Sequence, residues 1–491
     1  MRVAIAYPPL TSEKGVALLT QNRQFQWFSR PTYIFPVVPA TAATMLKKAG
    51  HDVLFLDGIA AGLSPEEFDR RLAEFRPDWV VLETKTPVVK RHWKWIADQK
   101  AASAPPSTSQ PPTSSSPRYI LVGDHVTALP EESLAACRVE AVLTGGDWDF
   151  RLASFLAARG DAAKYEPGVW YRDAGAVKNT GPFRLDHDLD AAPWIDRDLV
   201  DWKRYAYRNG NFRKTPGTYI MSGRDCWHAK CTFCSWTTLY PTYRTRNALD
   251  VVDEIEMLVT KYGVREIMDD SGSLPVGAWL TTFCNELIRR GLNRRMRIDC
   301  NMRFGRLSRA DYELMRRAGF RLVLFGVESA NQETLDRYCK KLTVADVEEG
   351  AAWASAAGLD VHLTFMFGHP WEGPAEIANT VRLARRLLAN GHAATLQCTL
   401  TVPYPGTPLF RGLKAQDGLT TLDWDEYDQR RAVMKTPHAT EAEIKRAIRR
   451  VYRGFLQPRA LWHLFRRNLF DVGFYYRGIR YLFGHLMDFS S

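Results

Sequence analysis

The sequence predicts an α/β protein in three parts: a doubly wound parallel sheet, six further β/α units and a small helical C-terminal region. Two observations lead to this prediction. Short apolar runs alternate with amphipathic stretches through the first 160 residues, and a second alternation begins at Gly217. Parallel strands that are buried on both faces are near-continuous apolar runs separated by helices. Each alternation therefore predicts one parallel sheet.

Length and composition agree with this division. The chain has 491 residues, 45% of them hydrophobic and 25% charged. This length exceeds one ordinary core, so we expect two or three domains. The eight cysteines show no even spacing, and the first residues lack the apolar run of a signal peptide. We therefore expect a cytoplasmic protein without disulfides and, since no apolar run reaches about eighteen residues, without a membrane-spanning helix.

Residues 1–160 are predicted to form a Rossmann-like domain, with helices at Pro39–Lys48 and Pro65–Phe75 between its strands. Ligands of doubly wound sheets bind at the carboxyl ends of the strands, where this sequence has small or polar residues. Neither a Gly-x-Gly-x-x-Gly loop nor a Walker-type loop follows a strand, which argues against a dinucleotide or nucleoside triphosphate. The predicted strands are Val3–Ala6, Val53–Leu56, Trp79–Leu82, Tyr119–Val122 and Ala141–Leu143.

Two segments lack the pattern of a packed element. Residues 101–117 are nearly all Ala, Ser, Pro, Thr and Gln, a composition that predicts a flexible surface insertion. Residues 161–215 are irregular and rich in Asp, Arg and Pro, which predicts a connector.

Residues 216–415 are predicted to form a partial (β/α)6 version of the TIM-type barrel, with its chemistry at the carboxyl ends of the strands. A typical helix of this region is Leu249–Tyr262, which carries its apolar residues on one face. The predicted strands are Tyr219–Met221, Glu266–Met268, Met296–Asp299, Arg321–Phe325, His362–Met366 and Thr395–Thr401.

Three cysteines, Cys226, Cys231 and Cys234, stand in one short loop after the first of these strands. Three thiolates suit a [4Fe-4S] cluster with one iron left open for a ligand, because structural zinc sites are normally closed by four protein ligands. The alternative is a non-enzymatic zinc site completed by His228 or a distant cysteine. We expect the five remaining cysteines to be small core residues; they are Cys137, Cys284, Cys300, Cys339 and Cys398.

With this loop, the second half of the chain resembles the radical S-adenosylmethionine (SAM) enzymes. Their Cys-x3-Cys-x2-Cys loop holds the cluster, and this chain differs by having four residues between Cys226 and Cys231. The resemblance implies that Phe233, the aromatic residue before the third cysteine, lies near the adenine of SAM. It also implies that residues after the later strands bind SAM; these are Asp269, Asp270, Ser271, Gly272, Asn301, Arg303, Glu328, Ser329 and Gly368.

The first half resembles the subgroup with an N-terminal cobalamin-binding domain, which includes the anaerobic magnesium-protoporphyrin ester cyclase and many C-methyltransferases. The similar stretches are 123–132 and 144–146. The Asp-x-His-x-x-Gly loop that supplies a histidine to cobalt elsewhere is absent, since 57–62 contains no histidine. The cobalamin contacts that the resemblance implies are Thr84, Thr86, Gly123, Thr127, Gly145 and Gly146.

These resemblances imply that the protein cleaves SAM reductively and functionalises an unactivated carbon, with C-methylation as the favoured outcome. The alternatives are a radical cyclisation or rearrangement, or an N-terminal domain that binds substrate instead of cobalamin. A one-electron reductant such as flavodoxin or ferredoxin is implied as a partner. A methylthiotransferase acting on transfer RNA is disfavoured, because that group has a second set of three cysteines and only Cys137 precedes Cys226 here.

Residues 416–491 are predicted to be a helical, basic and aromatic C-terminal region. Of the net charge of +11, a net +6 lies from Glu441 onward. We favour a helical lid packed on the barrel for 461–489 over a membrane-surface helix. The composition is compatible with a small-molecule or lipid-like substrate, and no nucleic acid partner is expected, because no recognised nucleic-acid module accompanies the basic residues.

Overall fold

The computed structural model describes residues 1–10, 12–19, 26–28, 31–102, 116–209 and 211–467. In this part of the chain, two large sheets form where the two alternations predict them. One apolar core runs through both sheets, since Ile5 and Ile120 of the first belong to the same buried cluster as Ile267 and Val323 of the second. The two sheet regions therefore pack against each other.

The first sheet has seven strands in the order β4-β1-β5-β6-β7-β8-β9. The five predicted strands are all present and run parallel. Their order reverses between β1 and β5, which makes the crevice beyond the ends of those two strands the expected ligand position. The strands of this region, with a separate hairpin of β2 and β3, are β1 Arg2–Tyr7, β2 Val16–Leu18, β3 Gln26–Phe28, β4 Asp52–Asp57, β5 Trp79–Glu83, β6 Arg118–Val122, β7 Ala141–Leu143, β8 Val169–Asp173 and β9 Ala176–Asn179.

The predicted connector at 161–215 contains two strands, β8 and β9, which extend the first sheet with antiparallel pairing and leave β9 at its edge. Ala174 and Gly175 join them in a turn with positive φ angles of 49° and 86°. All of β9 is exposed, so it lacks the apolar run by which buried strands are recognised. The predicted insertion at 101–117 falls mostly on 103–115, outside the described residues.

The second sheet has six strands, all parallel, in the order β10-β13-β14-β15-β16-β17. These are the six predicted strands, and sequential neighbours pair because each β/α unit is short. Closure of this sheet toward a partial barrel stays a prediction. The strands, with the two-stranded ribbon β11 and β12, are β10 Gly217–Ile220, β11 Gly223–Arg224, β12 Arg244–Thr245, β13 Glu266–Asp269, β14 Arg297–Met302, β15 Phe320–Glu328, β16 Asp360–Phe367 and β17 Thr395–Leu400.

Helices connect the strands of both sheets. The helix predicted at Leu249–Tyr262 is α10; the Asn247 side chain caps its first turn, and Val252, Ile255 and Leu258 are buried on one face. The helices are α1 Val37–Lys48, α2 Gly58–Ala61, α3 Pro65–Phe75, α4 Val89–Ala102, α5 Asp124–Ala128, α6 Pro130–Ala136, α7 Trp148–Ala157, α8 Trp202–Arg208, α9 Trp236–Leu239, α10 Ala248–Lys261, α11 Ala278–Arg289, α12 Leu292–Arg295, α13 Arg309–Arg317, α14 Gln332–Arg337, α15 Val344–Ala356, α16 Pro374–Ala389, α17 Pro408–Ala415, α18 Glu441–Tyr452 and α19 Pro458–Arg467.

Within the predicted helical C-terminal region, α-helices begin only at Glu441; residues 416–440 are largely irregular, with a β-bridge between Leu419 and Met434, so the expectation of helix is wrong for that stretch. Helix α18 buries Ile444, Ile448 and Val451, and the Tyr452 hydroxyl accepts a hydrogen bond from the backbone of Cys398 in β17 at 3.0 Å. This helix therefore belongs to the core around the second sheet. Most of the predicted lid lies beyond residue 467, outside the described residues. None of the described helices is long and apolar enough to cross a membrane.

Candidate active site

The three-cysteine loop lies between β11 and α9, at the carboxyl edge of the second sheet. Cys226, Cys231 and Cys234 are free thiols and half-buried. Backbone hydrogen bonds tie the loop to segments after other strands: Thr232 donates to the Tyr338 carbonyl at 3.1 Å and accepts from Leu409 at 3.0 Å. Distant parts of the chain thus fix the path of this loop.

The four residues between Cys226 and Cys231 are accommodated by local geometry. Ala229 adopts a positive φ of 47°, a left-handed conformation that lets the chain reverse within a short space. His228 donates from Nε2 to the Cys339 carbonyl at 2.7 Å. This bond engages Nε2, so in the zinc alternative the imidazole would have to bind the metal through Nδ1. Cys339 itself is exposed, so the expectation that it is a core residue is wrong; the other four are buried.

Positive charge surrounds Cys231. Burial raises the pKa of its thiol, and the charges of Lys340 and Arg303 oppose that rise. Burial also raises the pKa of Cys234, to about 12. Among the described residues, no three His, Cys, Asp or Glu side chains converge where one metal ion would fit. A four-iron cluster requires a different arrangement, in which each thiolate binds its own iron. Three free thiols near two cations fit such an anionic group.

The predicted SAM motif after β13 is joined to the cysteine loop. The backbone of Gly272 donates to the Asp225 carboxylate at 2.6 Å, and the Ser271 hydroxyl accepts from the backbone of Gly223 at 2.9 Å. Asp269 accepts from the Ser271 backbone through Oδ1 at 3.0 Å, while its buried Oδ2 has no hydrogen-bond partner among the described residues. Burial raises the pKa of Asp269. An unused buried carboxylate oxygen fits a cationic ligand group, such as the ammonium of SAM.

The predicted residues after β14 and β15 have protein partners. Asn301 donates to the Ser271 carbonyl at 3.0 Å, which connects two neighbouring strand ends. Ser329 donates to Glu372 at 2.6 Å, within the buried polar network that begins α16. Glu328 has a positive φ of 69° beside an irregularity in the pairing of β15 with β16, and its carboxylate binds Lys340. Such strained backbone persists where the surroundings enforce it, often at functional sites.

Two predicted residues lie in apolar surroundings. Phe233 contacts Tyr338 edge to face at 4.9 Å between ring centroids, in a cluster with Met366 and Leu409. Gly368 has a φ of 83°, which favours glycine, and a side chain there would meet Ile444 of α18. The structure therefore brings Phe233 beside the cysteines, whereas Gly368 packs against the C-terminal region.

The predicted cobalamin contacts divide into two groups. Thr84 and Thr86 are buried, and their hydroxyls bond to His92 at 2.7 Å and to His125 at 3.3 Å. Gly123 approaches the Thr84 carbonyl too closely for any side chain, with a hypothetical Cβ only 2.2 Å from that oxygen. All three residues are buried at the carboxyl edge of the first sheet.

Thr127, Gly145 and Gly146 belong to the second group, which faces the other half of the chain. The Thr127 hydroxyl accepts from the Gly145 backbone at 2.9 Å. Gly146 contacts the Tyr240 ring, whose hydroxyl donates to the Gly146 carbonyl at 2.7 Å. The absence of a side chain at Gly146 is thus explained by contact between the two sheet regions.

A cavity of about 480 Å³ connects the two predicted sites. Helix α5 of the first sheet region borders it on one side, and the cysteine loop borders it on the other. Gly406 closes it where the segment after β17 touches Ala128. The lining residues are Thr127, Ala128, Ala229, Lys230, Cys231, Thr237, Thr238, Gly406, Pro408 and Arg411. A ligand in this cavity would touch both halves of the chain.

A buried ion network between the two sheet regions was not predicted from sequence. Arg224, two residues before Cys226, binds Asp147 at 3.1 Å and Asp149 at 2.7 Å. Arg244 binds Asp147 at 2.7 Å. Burial opposes ionisation of Asp147, yet His187, Arg224 and Arg244 together hold the pKa of its carboxyl well below the usual range. The acidic pair after Gly145-Gly146 is visible in the sequence, but its arginine partners lie 75 to 97 positions away.

The second sheet region matches a protein-family model described as the Radical SAM superfamily, over residues 220–384. An uncharacterized methyltransferase of Pyrococcus horikoshii is 26% identical over 432 residues, which cover 87% of this chain and 89% of that protein. The anaerobic magnesium-protoporphyrin IX monomethyl ester cyclase of Cereibacter sphaeroides is 28% identical over 436 residues, 85% of this chain and 66% of that protein. The chain thus spans just under two thirds of the cyclase.

A solved structure shares the fold over almost the whole chain. It is the radical S-adenosylmethionine methyltransferase TsrM from Kitasatospora setae, with cobalamin and a [4Fe-4S] cluster bound. The TM-score is 0.64 at 17% identity, and the match covers 92% of this chain and 88% of TsrM. The likeness extends through both sheets, so the mixed α/β architecture with parallel sheets is that of TsrM.

Proposed function

We propose that this chain, which matches the Radical SAM superfamily over residues 220–384, is a cobalamin-dependent radical SAM enzyme that functionalises an unactivated carbon by C-methylation. Cys226, Cys231 and Cys234 would hold a [4Fe-4S] cluster, and Asp269 would accept a hydrogen bond from the ammonium of SAM. Cobalamin would bind at the carboxyl edge of the first sheet, on the side of α5.

The observation that carries this proposal is the cavity between α5 and the cysteine loop, which Thr127 and Cys231 both line. Transfer between two bound groups requires that both approach the same substrate atom. A cavity bordered by each predicted site supports that requirement. The cobalamin in TsrM and the methyltransferase name of the Pyrococcus horikoshii relative agree with it.

When bound, the reduced cluster supplies the electron that cleaves SAM into methionine and a 5′-deoxyadenosyl radical. The chain's own residues position the reactants and exclude water. Asp269, Ser271 and Glu328 are buried, so a ligand among them is held in a medium of low polarity, where hydrogen bonds to charge are strong. The bond from Gly272 to Asp225 keeps this group in register with the cysteines.

Anaerobic reconstitution with iron and sulfide tests the radical chemistry. The protein is expected to form 5′-deoxyadenosine from SAM when a reductant is added, and Cys231→Ala should abolish that product together with the cluster absorbance. Cys339→Ala is the matched control, because this exposed thiol lies beside the same loop and should be dispensable. Cleavage that survives Cys231→Ala, or metal analysis that finds zinc without iron and sulfide, would contradict the proposal.

Incubation with hydroxocobalamin tests the first sheet region. Retention of a corrinoid absorbance band after gel filtration is expected. Cleavage of SAM by a protein that retains no corrinoid would favour the alternative in which this region binds substrate.

Methyl transfer is tested with SAM deuterated in its methyl group, by comparing metabolites of an extract with and without the enzyme. A new product without deuterium would favour cyclisation or rearrangement.

We also propose that the reductant is a flavodoxin or ferredoxin and that the substrate is a small or lipid-like molecule. Contact of the C-terminal region with a membrane surface is the alternative to the favoured helical lid. In α19, Leu461 and Trp462 are exposed beside Arg459 and Arg466. Co-sedimentation with anionic vesicles should decrease in Trp462→Ser. The matched control is Leu422→Ser, an exposed leucine before α18. A variant ending at Thr440 would not test membrane contact alone, because it also removes the buried residues of α18.

A further inference from the structure

One cation, Arg303, contacts the sulfur of Cys231, and a second, Lys340, lies nearby with its ammonium 5.9 Å from the centroid of the Phe233 ring. Nη1 of Arg303 lies 3.7 Å from Sγ of Cys231 and donates to it, and Nη2 donates to the Lys340 carbonyl. The Lys340 ammonium binds the carboxylate of Glu328. Arg303 and Lys340 are 8% and 4% exposed, so water screens their charges poorly.

The position of Arg303 is set by the cysteine loop itself. Its guanidinium lies over the Trp227 ring at 5.1 Å, and Trp227 is one of the four residues between Cys226 and Cys231. Arg306 approaches the same ring at 5.5 Å but is exposed and has no contact with the sulfur. Nε of Arg303 is buried without a hydrogen-bond partner in the part of the chain that the structure describes. An unsatisfied buried donor beside a thiol indicates that a further acceptor belongs there.

We propose that Arg303 and Lys340 compensate the charge of the bound cluster and raise its reduction potential, and that Arg303 acts on the cluster instead of on the carboxylate of SAM. This inference rests on the proposed function, since it requires a cluster on the three cysteines. Reduction adds one negative charge to the cluster, and two buried cations beside Cys231 favour that state. Hydrogen bonds to cluster sulfurs act in the same direction.

The test is a potentiometric titration of the reconstituted full chain without SAM, followed by electron paramagnetic resonance of the reduced cluster. Arg303→Gln is expected to shift the midpoint potential to a more negative value, and Arg306→Gln to leave it in place. Lys340→Gln should also shift it negatively, whereas Lys341→Gln, at the exposed neighbour, should not. Adding Glu328→Gln to Lys340→Gln removes one negative charge as well, so the potential should return toward that of the wild type.

The outcomes separate the two proposals. A wild-type protein that assembles no [4Fe-4S] cluster would overturn the proposed function. The inference would be overturned if the cluster of Arg303→Gln had the same potential as that of the wild type while the variant bound SAM more weakly. Arg303 would then be assigned to SAM binding. If Arg303→Gln assembles no cluster, the variants at Lys340 and Glu328 test the inference instead. An unchanged midpoint potential in Lys340→Gln would then contradict it.

Discussion

Arg224 and Asp149 form a buried bidentate ion pair between the two sheet regions, with Nη1 to Oδ1 at 2.7 Å and Nη2 to Oδ2 at 2.5 Å. Asp149 belongs to α7, which follows the last parallel strand of the first sheet. Arg224 ends β11 and leads directly into the cysteine loop. The pair therefore fixes the edge of the first sheet against the loop that carries Cys226.

Asp149→Asn is expected to destabilise the protein by about 3 kcal/mol, because it leaves the Arg224 charge buried with only Asp147 as a partner. The loss of stability is measured as the change in the urea denaturation midpoint. The control is Asp98→Asn, which breaks the exposed pair of Asp98 with Lys94 and should cost about 1 kcal/mol or less. Equal midpoints for the two variants would show that the buried pair contributes no more than a surface one.

The stability contributed by His187 should depend on pH. Hydrogen bonds to the carboxylates of Asp147 and Glu166 raise its pKa to about 9 from an ordinary value of 6.5. A raised pKa in the folded state means that the protonated form stabilises the fold. This contribution is complete below pH 6.5 and is lost as the pH rises through about 9. The difference in unfolding free energy between wild type and His187→Gln should shrink across that range; a constant difference would contradict the assignment.

Gly146→Ala should weaken the contact between the sheet regions. A Cβ at Gly146 would lie 2.0 Å from the Tyr240 ring, and overpacking of this kind costs about 1 to 3 kcal/mol. Thermal unfolding provides the measurement. Gly412→Ala is the control, since nothing lies within 4 Å of a Cβ there and alanine is the better helix former in α17. A Gly146→Ala variant as stable as Gly412→Ala would mean that the ring moves aside freely.

Asp269→Asn should weaken SAM binding while the cluster remains. A hydrogen bond to a charged group contributes about 1.5 to 3 kcal/mol, so the Kd for SAM is expected to rise at least about 10-fold. Equilibrium binding to the reconstituted protein measures it, with iron and sulfide content as the check on integrity. Unchanged affinity would remove Asp269 from the site.

The strands were largely predictable and the contacts between distant segments were not. All eleven parallel strands of the two sheets are predicted because burial on both faces demands apolar runs. Strand β9 is missed because an exposed edge strand carries no such run, and β8 because only Val169 of its five residues is buried. The cysteine loop is recognisable because its ligands are close in sequence. The hydrogen bond from Arg303 to Cys231 and the proximity of Lys340 span 72 and 109 positions, and no local pattern encodes them.

The amino-acid sequence by itself determined the two alternations of strand and helix and the three closely spaced thiols, because periodicity and ligand spacing are local properties of the chain. Only the tertiary structure decided that Asp149 meets Arg224, that Arg303 faces Cys231 and that a cavity joins α5 to the cysteine loop. These relationships arise when the two sheets pack through one core, which brings together groups whose charges attract strongly only after water has been excluded.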